Sequence, residues 1–538
     1  MSTRAPAANA YAFPLTIRQL WNAPLVHSPD QVVMYRDQVR YTYRGLRERV
    51  GRLASLLQEL GIEFGDTVAM MDWDSHRYLE SFYAVPMMGA VLQTVNVRLS
   101  PDQILYTLNH AKPKVLLVNS DFAPILSEIR ARLESVQRIV WISDEGVAPP
   151  ADTAGEYEVL MADSEPNYDF VDFDENTVAT TFYTTGTTGL PKGVFFTHRQ
   201  LVLHTLVTMA AISSPASGQR FHTGDVYMPL TPMFHVHAWG MPYVALQMGV
   251  KQVYPGRYIP DALAKSIQKE RVTFSHCVPT VLQMVLNAAA TNSVDLRGWK
   301  VVIGGSALPE ALARKAVSLG IDIFAGYGMS ETCPILTLAQ IRPRHDGLQE
   351  AEELSLRCRA GAPVPLVELR TVDDSFTDVT SGGEIVVRAP WLTQGYAGNP
   401  SASESLWQGG YLHTADIGAL TGGYLKITDR IKDVIKTGGE WVSSLEVEDL
   451  LSRHDSVAEV AVIGVADAQW GERPVALIVP RSPGSLSETA LRDFLMNFVV
   501  QGLISRYAIP SRFQEVETLD KTSVGKLDKK TLRTRFTA

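Results

Sequence analysis

The chain has 538 residues, 46% hydrophobic and 20% charged, with a formal net charge of −9. These are ordinary globular values, and at about 100–200 residues per domain the length predicts two to four lobes around a large core. The acidic balance gives no global pull toward nucleic acid or anionic membrane, although it leaves room for a local basic patch.

Cysteine is scarce: Cys277, Cys333 and Cys358 show no C-x-x-C spacing, which argues against a disulfide framework or zinc site and for a reducing, cytoplasmic setting. The first residues, MSTRAPAANAYAFPLTIRQLW, lack the continuous apolar stretch of a secretory signal. Leu46, Val50, Leu53, Leu57 and Leu60 recur at helical spacing and Gly61 follows as a stop. DTVAMM, PKVLLVNS and QRIVWIS then read as short buried strands with helical sequence between them.

Next comes YTTGTTGLPKGV, Tyr183 to Val194. Small, hydroxylated residues there leave backbone N–H groups open to a polyanion, usually phosphate, and a plain structural turn is the bland alternative. The spacing is not that of a Walker A loop, because Gly193 follows Lys192 instead of preceding it. The charge-free run Val226–Val250 holds Pro229, Pro232 and Pro242, so it reads as buried strand, loop and helix and not as a membrane span.

WKVVIGGS and IDIFAGYG are further strands, and the alternation as a whole predicts α/β layers with largely parallel sheets. GYGMSE fails as a dinucleotide fingerprint at Glu331, and GGSAL fails as a serine-hydrolase elbow at Leu308. Near residue 380 the texture changes to short antiparallel strands, GEIVVRAP and YLHTADIGALTGGYLKITDR. A boundary at Asp429–Arg430 then leaves a compact α+β lobe, residues 430–538, with Ser485 and Glu488 spaced as a capping box for the helix ETALRDFLMNFV.

Five stretches occur in one order: YTTGTTGLPKG, GYGMSET, YLHTADIG, DRIKDVIKTGGEWVSSLEVE and TSVGKLDKKTLR. With them the chain resembles, over essentially its whole length, the acyl-adenylate-forming superfamily of acyl-CoA synthetases, peptide-synthetase adenylation domains and firefly luciferase. The GGEWVSS variant resembles the branch of medium-chain fatty acyl-CoA and 3-methylmercaptopropionate–CoA ligases. The resemblance implies an α/β fold. Residues 1–429 would form layered α/β subdomains plus a β-barrel-like subdomain, and residues 430–538 a small mobile α+β lobe.

The implied chemistry is activation of a carboxylate by ATP to acyl-AMP and pyrophosphate, followed by displacement of AMP by coenzyme A. An anion meeting a polyphosphate needs cations, Mg²⁺ and N–H donors where charge develops. On the family pattern Thr184, Thr185, Gly186, Thr187, Thr188, Gly189 and Lys192 cover the β- and γ-phosphates. Tyr327 stacks on adenine, with Gly304, Gly305 and Ser306 walling the base and acyl group, and Gly326, Gly328, Met329 and Ser330 beside it. Glu331 holds Mg²⁺, Asp416 takes the ribose hydroxyls with Arg430 assisting, and Ile427 lies near them. Lys526, presented on a tight turn by Gly525, bridges the carboxylate and the α-phosphate. Lys436, Gly438, Gly439, Glu440 and Trp441 meet coenzyme A after the small lobe rotates about a hinge at Asp429. The acid is expected among His235, Val236, Trp239, Gly304, Gly326 and Pro334.

Each residue has a bland reading. Lys526 sits in a basic run with Lys521, Lys529, Lys530, Arg533 and Arg535, Tyr327 and Trp239 suit a core, and Asp416 suits a turn. His235 and His237 lack a nearby third metal ligand. No aspartate in the pocket stretches suggests an α-amino group, which disfavours peptide-synthetase adenylation; the GGEWVSS branch, with no long N-terminal gate insertion or amphipathic anchor identified, implies a short-to-medium apolar acid. The competing functions are an acyl-AMP ligase that loads a carrier protein, an inactive nucleotide-binding homologue and an oxidative light emitter. Small-molecule acid, ATP and coenzyme A are the expected partners, and a homodimer is compatible with the pattern.

Overall fold

The computed structural model describes residues 7–536 except 185–189, 217, 346, 381, 439 and 524, and except the side chain at 344. Val68–Met71 and Val115–Val118 bury every side chain, as strands covered on both faces must. They belong to a seven-stranded sheet whose interior pairs are parallel and whose edge strand Lys192–Thr197 is antiparallel to Val178–Thr184. A nine-stranded sheet has a parallel centre, including Val226–Leu230, Phe274–Cys277, Lys300–Ile303 and Asp322–Gly328, and antiparallel edges. One hydrophobic core joins both sheets and reaches Leu425.

The helix read from leucine spacing is Tyr43–Glu59, begun by the Thr42 side chain accepting from the Gly45 N–H and followed by Gly61 at φ 89°. The charge-free run is a strand, Val226–Leu230, then a turn with positive φ from Val236 through Gly240, then a helix, Met241–Gln247. Among the described residues no helix is long and apolar enough to cross a membrane. The change of texture near 380 is a five-stranded antiparallel sheet, with Tyr411–Thr421 paired to Tyr424–Arg430 and Gly383–Arg388.

The small lobe has its own cores, one around Ile435, Val447, Leu491 and Leu495, the other around Ile463, Leu477 and Leu532. Its helix Glu488–Val500 starts two residues later than the capping-box spacing implies. The cap is Ser487, which accepts from the Ala490 N–H at 3.3 Å, and Glu488 is already helical, so Ser485 plays no capping part. Two serines two apart offered alternative starts, and the local pattern alone favoured the wrong one.

Three strand ends decide where a ligand can sit. Lys300–Ile303, Asp322–Gly328 and Val226–Leu230 run parallel, so the loops leaving their carboxyl ends emerge together, the usual place for a ligand crevice in an open α/β sheet.

Candidate active site

The crevice at those strand ends is lined by His235, Val236 and Trp239, by Val302, Gly304 and Gly305, by Gly326 through Ser330, by Pro334, Ile335 and Leu338, and by Lys526 of the small lobe. The space between its walls is about 430 Å³, a figure that includes the open solvent at its mouth. Two of these glycines stand where nothing larger fits without a shift. A Cβ on Gly328 would lie 1.6 Å from the Pro334 carbonyl oxygen, and one on Gly304 would lie 2.8 Å from the Trp239 indole.

Tyr327 and Asp416, 89 residues apart, meet on one wall. The Tyr327 hydroxyl donates to Asp416 Oδ2 at 2.8 Å, and Arg430 Nε lies 3.3 Å from Oδ1. Ala415, at φ 56°, and a register shift after Ile417 break the strand pairing around Asp416 and turn its side chain toward Tyr327. Burial raises the Asp416 carboxyl, opposed by Arg430, the Tyr327 hydroxyl and Lys526.

The phosphate-loop ends are fixed by strand pairing: Thr184 and Lys192 are cross-strand partners. Thr185, Gly186, Thr187, Thr188 and Gly189 lie outside the described residues. Tyr396 is a residue that sequence reasoning missed. Its hydroxyl donates to Glu331 Oε1 at 2.7 Å, while the Lys192 ammonium lies 4.7 Å from its ring centroid. Its loop is pinned to the strand after the phosphate loop by the Ala397 N–H donating to the Gly193 carbonyl at 2.9 Å. The aromatic in GYAG was the only available signal. Burial raises the Glu331 carboxyl, against the Tyr396 hydrogen bond and the charge of Lys192. Among the described residues no cluster of three acids, histidines or cysteines could hold a metal alone. A lone carboxylate such as Glu331, buried with one oxygen on the Tyr396 hydroxyl, would hold Mg²⁺ only with phosphate oxygens and waters completing the shell.

Lys526 arrives on a turn closed by the Gly525 N–H donating to the Thr522 carbonyl and the Thr522 N–H to the Lys526 carbonyl, with Gly525 at φ 84°. Its stem passes Gly305, where a Cβ would lie 3.0 Å from Lys526 Cε. Burial and the Arg430 charge pull its ammonium down to about 8, while Asp416 and Glu331 pull the other way. His235 is held neutral, pushed down to about 3 by burial and by Lys526 and Arg98.

One side of the crevice is apolar: Val236, Val302, Ile335 and Leu338, closed by Trp239, whose ring stands 4.9 Å from His276. His237 points away from the crevice among Phe82, Phe182, Phe196 and Tyr243, a core imidazole and not half of a metal pair. Ser306 is exposed and outside the lining, and Ile427 is half-buried on the strand behind Asp416. Lys436, Gly438, Glu440 and Trp441 are not brought to the crevice. Trp441 is 59% exposed beside a second hollow on the small lobe, shared with Glu440, Ser443 and Leu503, and Gly439 lies outside the described residues.

Comparison with known proteins shows the family. The family model described as AMP-binding enzyme matches residues 22–397, and that described as AMP-binding enzyme C-terminal domain matches residues 446–526. Similar proteins include a long-chain-fatty-acid–CoA ligase of Thermus thermophilus, 39% identical, covering 92% of this chain and 90% of that one. A 3-methylmercaptopropionyl-CoA ligase of Ruegeria pomeroyi is 36% identical, covering 92% and 91%. A medium-chain-fatty-acid–CoA ligase of Ectopseudomonas oleovorans is 35% identical, covering 96% and 94%. In fold the chain is similar to the anthranilate CoA ligase AuaEII in complex with anthranoyl-AMP, with a TM-score of 0.85 at 24% identity, covering 97% and 98%.

Proposed function

The chain belongs to the AMP-binding enzymes, the acyl-adenylate-forming superfamily, and is an acyl-CoA synthetase; from that premise we propose that it activates a short-to-medium apolar carboxylic acid. The substrates are the acid, ATP and coenzyme A. The observation that carries the mechanism is that Lys526, from the small lobe, lines the same crevice as Tyr327, Gly304 and Gly305.

In the first half-reaction a carboxylate oxygen attacks the α-phosphorus and pyrophosphate leaves. Tyr327 supports the adenine and the paired Asp416 and Arg430 take the ribose. Lys526 neutralises charge shared by the acid and the α-phosphate, worth most in a water-poor cleft. Lys192 meets the outer phosphates with Thr184 and the rest of its loop. Mg²⁺ at Glu331, when bound, supplies charge neutralisation on the phosphates. Neutral His235 borders the acid without adding a second positive charge. In the second half-reaction the coenzyme A thiolate displaces AMP.

The exposed position of Trp441 and Lys436 supports a second pose, in which residues 430–538 rotate about a hinge at Asp429 and bring Lys436 to Trp441 to the thioester partner. Trp239 against Gly304 and His276 supports a shallow acyl pocket. The similar ligases act, by their names, on long-chain, medium-chain and 3-methylmercaptopropionyl acids, so pocket depth must choose among them. ATP–pyrophosphate exchange across a panel of acids, followed by thioester detection with coenzyme A, tests the reading. Exchange should be strongest with short and medium unbranched acids. Exchange without a coenzyme A thioester, but with loading of a carrier protein, would overturn the acceptor.

A further inference from the structure

The turn that carries Lys526 is also held from the large lobe. Ser523, within that turn, receives a hydrogen bond on Oγ from Asn96 Nδ2 at 2.9 Å and one on its carbonyl from Arg98 Nη1 at 3.3 Å. Asn96 is 9% exposed, and its Oδ1 accepts from the Arg98 N–H at 3.1 Å, so its amide is oriented from both ends. Thr280 adds a weaker contact, donating to the Gly525 carbonyl at 3.3 Å.

The same short stretch supports the acyl wall. Thr94 Oγ1 donates to the Phe234 carbonyl at 2.9 Å, one residue before His235. The Arg98 guanidinium lies over the rings of Phe234 and Tyr258 at 5.8 and 5.9 Å. Residues 94–98 therefore touch the acid-binding loop at one end and the small lobe's lysine turn at the other.

We propose that Asn96 and Arg98 are positioning residues for acyl-adenylate formation: they latch Ser523, and so hold the Lys526 turn over the acid, and they must let go before the thioester step. Neither side chain touches a reacting atom. The latch consists of two hydrogen bonds, one from a cation, which is enough to bias a two-pose equilibrium and weak enough to be released. The inference rests on the two-pose reading above.

The test measures two rates separately, ATP–pyrophosphate exchange and thioester formation from supplied acyl-AMP, in Asn96→Ala, Ser523→Ala, their double variant and Lys526→Ala. Each latch variant should slow exchange about 5–10-fold, the size of one hydrogen bond. The double variant should be no slower than Asn96→Ala alone, because the serine change removes only a contact that the asparagine change has already removed. Arg98→Ala added to Ser523→Ala should slow exchange further, since its partner is the carbonyl that the serine change leaves in place. Thioester formation should be unchanged or faster. Equal losses in both rates, or Asn96 and Ser523 effects that multiply, would overturn the latch. If Lys526→Ala itself failed to separate the two rates, the two-pose reading would fall; if it separated them and the latch variants did not, only the latch would fall. Ser523 is half-buried on a turn, so its variant also keeps the test meaningful should Asn96→Ala fail to fold.

Discussion

Lys526 feels the charges of Arg430, Asp416 and Glu331, and burial brings its ammonium down to about 8. The charged form is the useful one, so kcat/KM for acyl-AMP formation should fall as pH rises through about 8, and Lys526→Arg should remove that limb. Unfolding would not imitate this. Between about 8 and the ordinary 10.5 the unfolded chain binds a proton here that the folded chain does not, so this group makes stability rise with pH while activity falls. Lys526→Ala should abolish acyl-AMP formation and largely spare thioester formation from supplied acyl-AMP; parallel loss of both would refute the division of labour. At Tyr396 two effects separate. Tyr396→Phe keeps the ring under Lys192 and loses the hydroxyl on Glu331, a charge-assisted bond of roughly 1.5–3 kcal/mol, so exchange should drop on the order of tenfold or more. Tyr396→Leu should drop further, and exchange titrated with Mg²⁺ should show a raised requirement in both.

At the scale of elements, the site is made by strand ends whose following turns need glycine. Gly305 has φ 78°, and a Cβ there would sit tightly, 3.0 Å from Lys526 Cε and 3.1 Å from Val278 Cγ1. Gly305→Ala should cost about 1–2 kcal/mol of backbone strain, read by denaturant unfolding, and reduce exchange far more than that loss explains. The turn from Val236 to Gly240 is the second such element. Its positive φ values bring Trp239 across the pocket while His237 is turned into the core. Trp239→Ala should shift the best acid to a longer chain in a panel assay, with a smaller effect on acids that already fit. An unchanged preference would mean that Trp239 is core packing alone.

For the whole molecule the question is how the small lobe is hung. Asp429 and Arg430 are adjacent but tied to opposite lobes. Asp429 Oδ2 accepts from the N–H and hydroxyl of Ser444 at 2.6 Å, and Lys529 reaches both Ser444 at 2.5 Å and Glu448 at 2.7 Å. Arg430 reaches back to Asp416. A pivot here would break the Arg430 contact and keep the Asp429 one. Asp429→Pro should lock φ with Lys526 in the crevice, sparing exchange and impairing thioester formation at least tenfold, with Asp429→Asn as the control for the lost buried charge. Equal impairment of both steps would place the hinge elsewhere.

Local chemistry made much of this readable in advance. A leucine period needs only its own helix, so Tyr43–Glu59 was legible, and all-apolar runs announced strands covered on both faces. Tyr327, Glu331, Asp416 and Lys526 stood out as candidates because each lies in one of the short stretches that carry the family resemblance. The sequence could not reveal pairs joined by folding: Tyr396 with Glu331 across 65 positions, or Asn96 with Ser523 across 427. Nor could it say that Ser306 faces solvent, that Ser487 and not Ser485 caps its helix, or which of two poses the small lobe adopts. Periodicity and turn chemistry act over a few residues. Which distant side chains end up within 3 Å depends on how sheets stack and strand ends align, and that is decided only when the chain closes on itself.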